Sequence, residues 1–206
     1  VEMSAESFDG RILVVANECF SGGSSNGRTM MNFLREIPSD RLAQFYLHGT
    51  PDTGFCKRYF CVSDKDALRA FLHKKPVEKA EATAGEGKTA ASGKKVIRSC
   101  RNLVFRNTVW MSYRWWDERF DAFLEKFAPI VVVLQAGDMP FMFAIARRIA
   151  KSRKIPLILY NSEEYVLKEK LYSGASKNSL WHRALQNNLK REYKKIMSIA
   201  RYCIYS

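Results

Sequence analysis

The chain has 206 residues, 47% of them hydrophobic, and a net charge of +13 from 34 Lys and Arg against 21 Asp and Glu. That is enough apolar material for one large domain or two small ones, while the longest apolar runs, 130–134 and 139–146, fall far short of the roughly 20 residues of a membrane-spanning helix. The positive balance favours phosphate-bearing or otherwise anionic partners, although it also serves solubility alone.

At the amino end, VEMSAESFDG lacks the basic region and apolar core of a signal peptide, which places the protein in the cytosol. Residues 11–16, RILVVA, are continuously apolar after the first arginine, as in a strand buried on both faces of a parallel sheet. A loop with Gly22, Gly23 and Gly27 follows. The segment 27–37, GRTMMNFLREI, then places Met30, Phe33, Leu34 and Ile37 at helical spacing, with Pro38 as the stop.

LAQFYLHG (42–49) and RYFCVS (58–63) read as two further short strands, and 64–75 as a helix with Leu68, Phe71 and Leu72 on one face. Segment 76–95 contains one branched aliphatic residue and no aromatic one. It cannot bury enough surface to offset the entropy of ordering, and is expected to be a mobile loop within the domain.

From 96 to 127 the pattern is helical and rich in aromatic residues. IVVVLQ (130–135) is a strand, 140–154 a helix, PLILYN (156–161) a strand and 162–172 a helix with a serine cap and two carboxylates in its first turn. A long helix follows, in which Trp181, Leu185, Leu189, Tyr193, Ile196 and Ala200 recur every three or four residues, and 202–206 ends the chain as a strand. Strands alternating with helices imply a doubly wound α/β sheet, with ligands outside the carboxyl ends of the strands. That selects the loops 17–27, 135–140 and 161–165.

The five cysteines are odd in number and form no C-x-x-C pair, so they read as free thiols rather than a disulfide framework or zinc site. His48, His73 and His182 are too scattered to suggest a metal site. Positions 22–29 match the phosphate-loop pattern G-x-x-x-x-G-K-[ST] except that Arg28 replaces the lysine. That exchange puts a long planar cation where a compact one is needed, and Gln135 stands where a metal-binding Asp would end the strand. The glycine spacing does not match the dinucleotide fingerprint G-x-G-x-x-G either.

Taken in order, RILVVAN, the Gly-Gly loop, GRTMMNFLREI, APIVVVLQAGDMPFMFAIARRIAKSRKIPLILYNSEEY, the long amphipathic helix and ARYCIYS resemble the N-terminal domain of family-four-like glycosyltransferases of the two-domain GT-B fold. The resemblance spans nearly the whole chain and rests on order and rhythm. It implies one Rossmann-like domain over 1–206, the acceptor-side half of an enzyme whose donor-binding C-terminal domain lies beyond this chain. It further implies transfer of a sugar from a nucleotide-diphosphate sugar to a saccharide or lipid-linked acceptor. Configuration would be retained without metal or other cofactor, and the isolated half would be inactive or nearly so.

Carried over by position, Gly22 and Gly23 match the loop near the donor diphosphate, with Asn26 and Arg28 beside them. The histidine usual after the fourth strand is replaced by Gln135, Ala136, Gly137 and Asp138. Asp138, Glu163 and Glu164 are then the carboxylates placed to meet acceptor hydroxyls or assist proton transfer, the two glutamates doubling as first-turn helix charges. The reading also lets Arg98, Arg101, Arg106, Arg114, Lys168, Lys170, Arg191, Lys194 and Lys195, with Trp110, Trp115 and Trp116, lie peripherally on the inner face of an anionic membrane. Against it stand a non-enzymatic basic module for polyanions or membrane and a phosphate-loop-like nucleotide-binding domain. No nucleic-acid motif supports a nucleic-acid partner.

Overall fold

A computed structural model describes residues 10–73, 99–163 and 179–205. Six strands form one open, all-parallel sheet: β1 (Ile12–Val15), β2 (Leu42–Tyr46), β3 (Arg58–Cys61), β4 (Val131–Gln135), β5 (Leu157–Asn161) and β6 (Tyr202–Tyr205). Their spatial order is β3-β2-β1-β4-β5-β6, that of a Rossmann-like sheet. Registers run Ile12 beside Leu42 and Val131, and Val132 beside Leu157.

The helices are α1 (Ser25–Phe33), α2 (Asp64–His73), α3 (Cys100–Met111), α4 (Glu118–Phe127), α5 (Pro140–Arg153) and α6 (Leu180–Met197). Because a strand presents alternate residues to opposite faces, Leu13, Val15, Phe45, Val132 and Leu134 join a core with α4 and α5. Ile12, Val14, Leu42, Tyr46 and Val133 join a second one with Met30 and Leu34 at α1. Right-handed crossovers explain the division: the chain moves one way from β1 to β2 and the other way from β4 to β6.

Side-chain caps fix several starts. Ser24, Ser99, Asp117 and Ser179 accept the amide protons of Gly27, Asn102, Phe120 and His182. Pro140 occupies the first turn of α5, where its missing N–H is harmless. The helical stretch expected over 96–127 is divided at 112–117, where Tyr113 has φ 54°.

Several expectations need correction. The first helix starts at Ser25 and ends at Phe33, and Phe33 is exposed while Met30 and Leu34 are buried. On α2 the buried residues are Ala67 and Ala70, whereas Leu68 and Leu72 face outward. Trp181 is half exposed and stands off the buried stripe of α6 formed by Leu185, Leu189 and Ile196. Glu164, Lys168, Lys170, Arg98, the segment 76–95 and most of the helix expected at 162–172 lie outside the described residues.

Trp110, Trp115 and Trp116 belong to the core and do not form the membrane-facing cluster expected of them. Trp110 stacks on Phe141 with centroids 4.9 Å apart, Trp115 is buried beside it, and Trp116 packs against the same cluster. Their indole N–H groups donate to Asp64 Oδ1, the Trp110 carbonyl and Asp121 Oδ1. Arg106 is likewise enclosed, its Nε 2.7 Å from Asp64 Oδ1. Among the described residues, no helix is long and apolar enough to cross a membrane.

Candidate functional site

The sheet order reverses direction between β1 and β4, so the loops leaving these two strands diverge and leave a crevice at their carboxyl ends. From β1 comes Asn17, whose carbonyl accepts the amides of Leu47 and His48 at 3.1 and 3.3 Å. Gln44, buried in β2, grips the next three residues: its Nε2 donates to the Glu18 carbonyl at 3.1 Å and its Oε1 accepts the Phe20 amide at 2.7 Å. These bonds extend the order of the sheet into the loop.

Beyond Phe20 the loop opens. Gly22 and Gly23 are exposed, and a Cβ at Gly22 would meet nothing within 4 Å. The sterically demanding glycine is Gly27. A Cβ there would stand 2.7 Å from the carbonyls of Cys19 and Ser21 and from Ser24 Oγ, so α1 can start against the loop only without a side chain. Its position inside the helix hid this from sequence reasoning.

From β4 comes Gln135, 7% exposed, whose Nε2 donates to the Asn26 carbonyl at 3.2 Å. Asn17, Asn26, Gln135, Gly137, Asp138 and Met142 surround a cavity of about 110 Å³. Among the described residues, Asn17 Oδ1 is buried without a hydrogen-bond partner, while its Nδ2 lies toward Gly137, 3.9 Å from where a Cβ there would stand. A buried acceptor left unpaired is costly.

Of the candidate residues, Asn26 and Asp138 come together in this cavity, and Gly22, Gly23, Arg28 and Glu163 do not line it. Asp138 is half-buried; Arg28 and Glu163 are exposed. Asn17 and Gln135 also line the cavity; sequence reasoning noted Gln135 only as the strand-end residue standing where a metal-binding Asp or the family's histidine would be, and did not single out Asn17. Asn17 lies two residues past the end of β1 and Gln135 ends β4, the strands flanking the reversal, a signal readable only once the strand order is known.

No family model, curated protein or solved structure matches this chain. The chemistry of the site therefore rests on its own groups.

The crevice offers amides, one carboxylate and the amino end of α1, whose first amides have no acceptor within the helix. That set suits hydroxyl groups and anions. It contains no activated thiol: Cys19, beneath the loop, has its pKa pushed up from 9.0 to about 11, chiefly by burial. Among the described residues, no cluster of His, Cys, Asp or Glu could hold a metal ion. Thr29 turns its hydroxyl back to the Ser25 carbonyl at 3.0 Å, and Arg28 lies a turn inside α1, so neither is placed as a phosphate loop would need.

Proposed function

We infer that this chain is the acceptor-side half of a two-domain glycosyltransferase of the GT-B type, moving a sugar from a nucleotide-diphosphate donor to a saccharide or lipid-linked acceptor. The observation that carries the reading is the crevice between the ends of β1 and β4, lined by the side chains of Asn17, Asn26, Gln135 and Asp138. Its volume, about 110 Å³, is well below the roughly 300–1,000 Å³ that encloses a typical small-molecule ligand. A second α/β half closing over it would complete the enclosure.

In this arrangement Asp138 meets an acceptor hydroxyl and helps draw off its proton, while the Asn17 amide, through Nδ2, bonds a second hydroxyl oxygen. The exposed backbone at Gly22 and Gly23 lets the donor diphosphate come close, next to the amino end of α1. By resemblance the reaction retains configuration and uses no metal, and this half alone transfers little or nothing. The test is sugar transfer by the protein expressed from its whole reading frame, against a panel of nucleotide-diphosphate sugars and lipid-linked or saccharide acceptors. Asn17→Ala and Asp138→Asn should each lower kcat/KM at least tenfold, an effect of about 1.4 kcal/mol or more on the transition state. Wild-type turnover in both variants, or no transfer from any donor, would sink the reading.

A second reading has its own support. Arg183, Lys190 and Lys194 are exposed on α6 with Leu180 and Trp181 at its start, a combination suited to an anionic bilayer surface. Sedimentation with phosphatidylserine vesicles, compared with neutral ones at low and high salt, decides whether that face binds.

A further inference from the structure

Where α3 packs against α6, a second recess has a chemistry unlike the crevice. Leu103 and Leu185 form a small apolar cluster with Val104. Beside it a cavity of about 340 Å³ is lined by Val104 and Asn107 of α3 and by Leu185, Asn187, Asn188 and Arg191 of α6. It shares no lining residue with the crevice and falls within the size range of small-molecule sites.

Asn107 is the informative residue. It is only 8% exposed, and its Oδ1 is closed off from water with no donor among the described residues. A leucine of similar size would satisfy the helix contact at lower cost, so the amide is badly suited to packing alone.

Charge supplies the second half of the argument. Arg191 is steered by Asn188, whose Oδ1 accepts from its guanidinium at 2.8 Å. The sequence of α3 contains no Asp or Glu, and the one carboxylate of α6, Glu192, is wholly buried. Glu192 already binds Arg147 at 2.8 Å and Lys195 at 2.7 Å, with Arg191 farther off at 3.7 Å. No carboxylate of either helix is therefore exposed at the recess, and the Arg191 guanidinium retains capacity for an anion.

We propose that the α3–α6 recess binds a phosphorylated sugar or cyclic polyol. Val104 and Leu185 take the C–H face of the ring, the amides of Asn107, Asn187 and Asn188 bond ring hydroxyls, and Arg191 takes the phosphate. A wholly apolar ligand would leave these amides unused. Inorganic phosphate would leave the apolar floor unused. The proposal does not depend on the glycosyltransferase reading.

The experiment titrates the 206-residue chain with glucose 6-phosphate, inositol 1-phosphate, glucose and inorganic phosphate, by calorimetry and by NMR of side-chain amides. One or both of the ring phosphates should bind saturably and shift the amide signals of Asn107 and Asn188. Glucose and inorganic phosphate should bind at least about tenfold more weakly, as expected when one charge-assisted contact or the hydroxyl contacts are lost. Asn107→Leu should weaken binding at least about tenfold while leaving Tm unchanged or higher, because the unpaired amide is gone; a purely structural role would lower Tm. Arg191→Gln, at a side chain 63% exposed, should keep the fold and remove the preference for phosphate. If Asn107→Leu fails to fold, the Arg191 variant decides. Absence of saturable binding by both ring phosphates, equal binding of inorganic phosphate, or wild-type affinity in the folded variants would overturn the proposal.

Discussion

Gln44 accepts the amide proton of Phe20 at 2.7 Å while donating from the other end of the same side chain to the Glu18 carbonyl at 3.1 Å. One buried amide in β2 thus fixes three consecutive residues of the loop that leaves β1. Gln44→Ala should leave the Phe20 N–H buried without a partner and cost about 1–3 kcal/mol. Urea unfolding gives the loss, and faster hydrogen exchange at the Phe20 amide would locate it. Unchanged exchange at Phe20 would show that the staple is idle.

The loop glycines should separate sharply. Gly27→Ala forces a Cβ to 2.7 Å from two carbonyl oxygens, an overpacking that typically costs about 1–3 kcal/mol. Gly22→Ala enters open space and should change stability by no more than about 0.5 kcal/mol. Thermal unfolding of the two variants side by side is sufficient. Equal effects would contradict the close approach described for Gly27.

Glu192 holds α6 to α5 through Arg147, with Lys195 on its other oxygen. Glu192→Leu strands the Arg147 guanidinium in a mostly buried position, and breaking a buried pair from one side costs about 3–5 kcal/mol. The double variant Glu192→Leu, Arg147→Met should recover most of that loss, since two apolar groups replace both charges. A double variant as unstable as the single one would show that the interface depends on charge.

Burial pushes the thiols of Cys19, Cys56 and Cys61 from 9.0 up to about 11. The folded chain therefore holds these protons at pH values where the unfolded chain has released them. The corresponding stability is intact below pH 9.0 and is lost as pH rises toward about 11. Burial drives the hydroxyls of Tyr46 and Tyr59 in the same direction. The urea midpoint should fall steadily over that interval; a flat profile would refute the buried, protonated thiols.

The strands were legible because continuous apolar runs such as Ile12–Val15 and Val131–Leu134 are buried on both faces, and only a parallel sheet covered by helices demands that. Their order was not legible, since β1 takes its second neighbour from a segment far along the chain. Helix faces misled where bulk and burial part company: Ala67 and Ala70 let α2 approach closely, while the larger Leu68 and Leu72 stay outside. The tryptophans misled because burial depends on an acceptor for each indole: that of Trp110 is Asp64, distant in sequence, while Trp115 and Trp116 find theirs nearby, at the Trp110 carbonyl and Asp121, only once the chain turns at 112–117. The loops bordering the crevice were identified, and Asn26 and Asp138 with them. Asn17 and Gln135 gain meaning only when β1 and β4 stand side by side.

The placement of β1 between β2 and β4 also bears on how the protein is made. A ribosome that has just completed Val15 must add more than a hundred residues before Val131, the neighbour of Ile12, exists. At roughly 5–20 residues per second, one flank of the nascent strand waits on the order of ten seconds for its mate. During that interval an apolar, unpaired edge is open to other chains, so a holding chaperone should engage the N-terminal third more avidly than the finished protein.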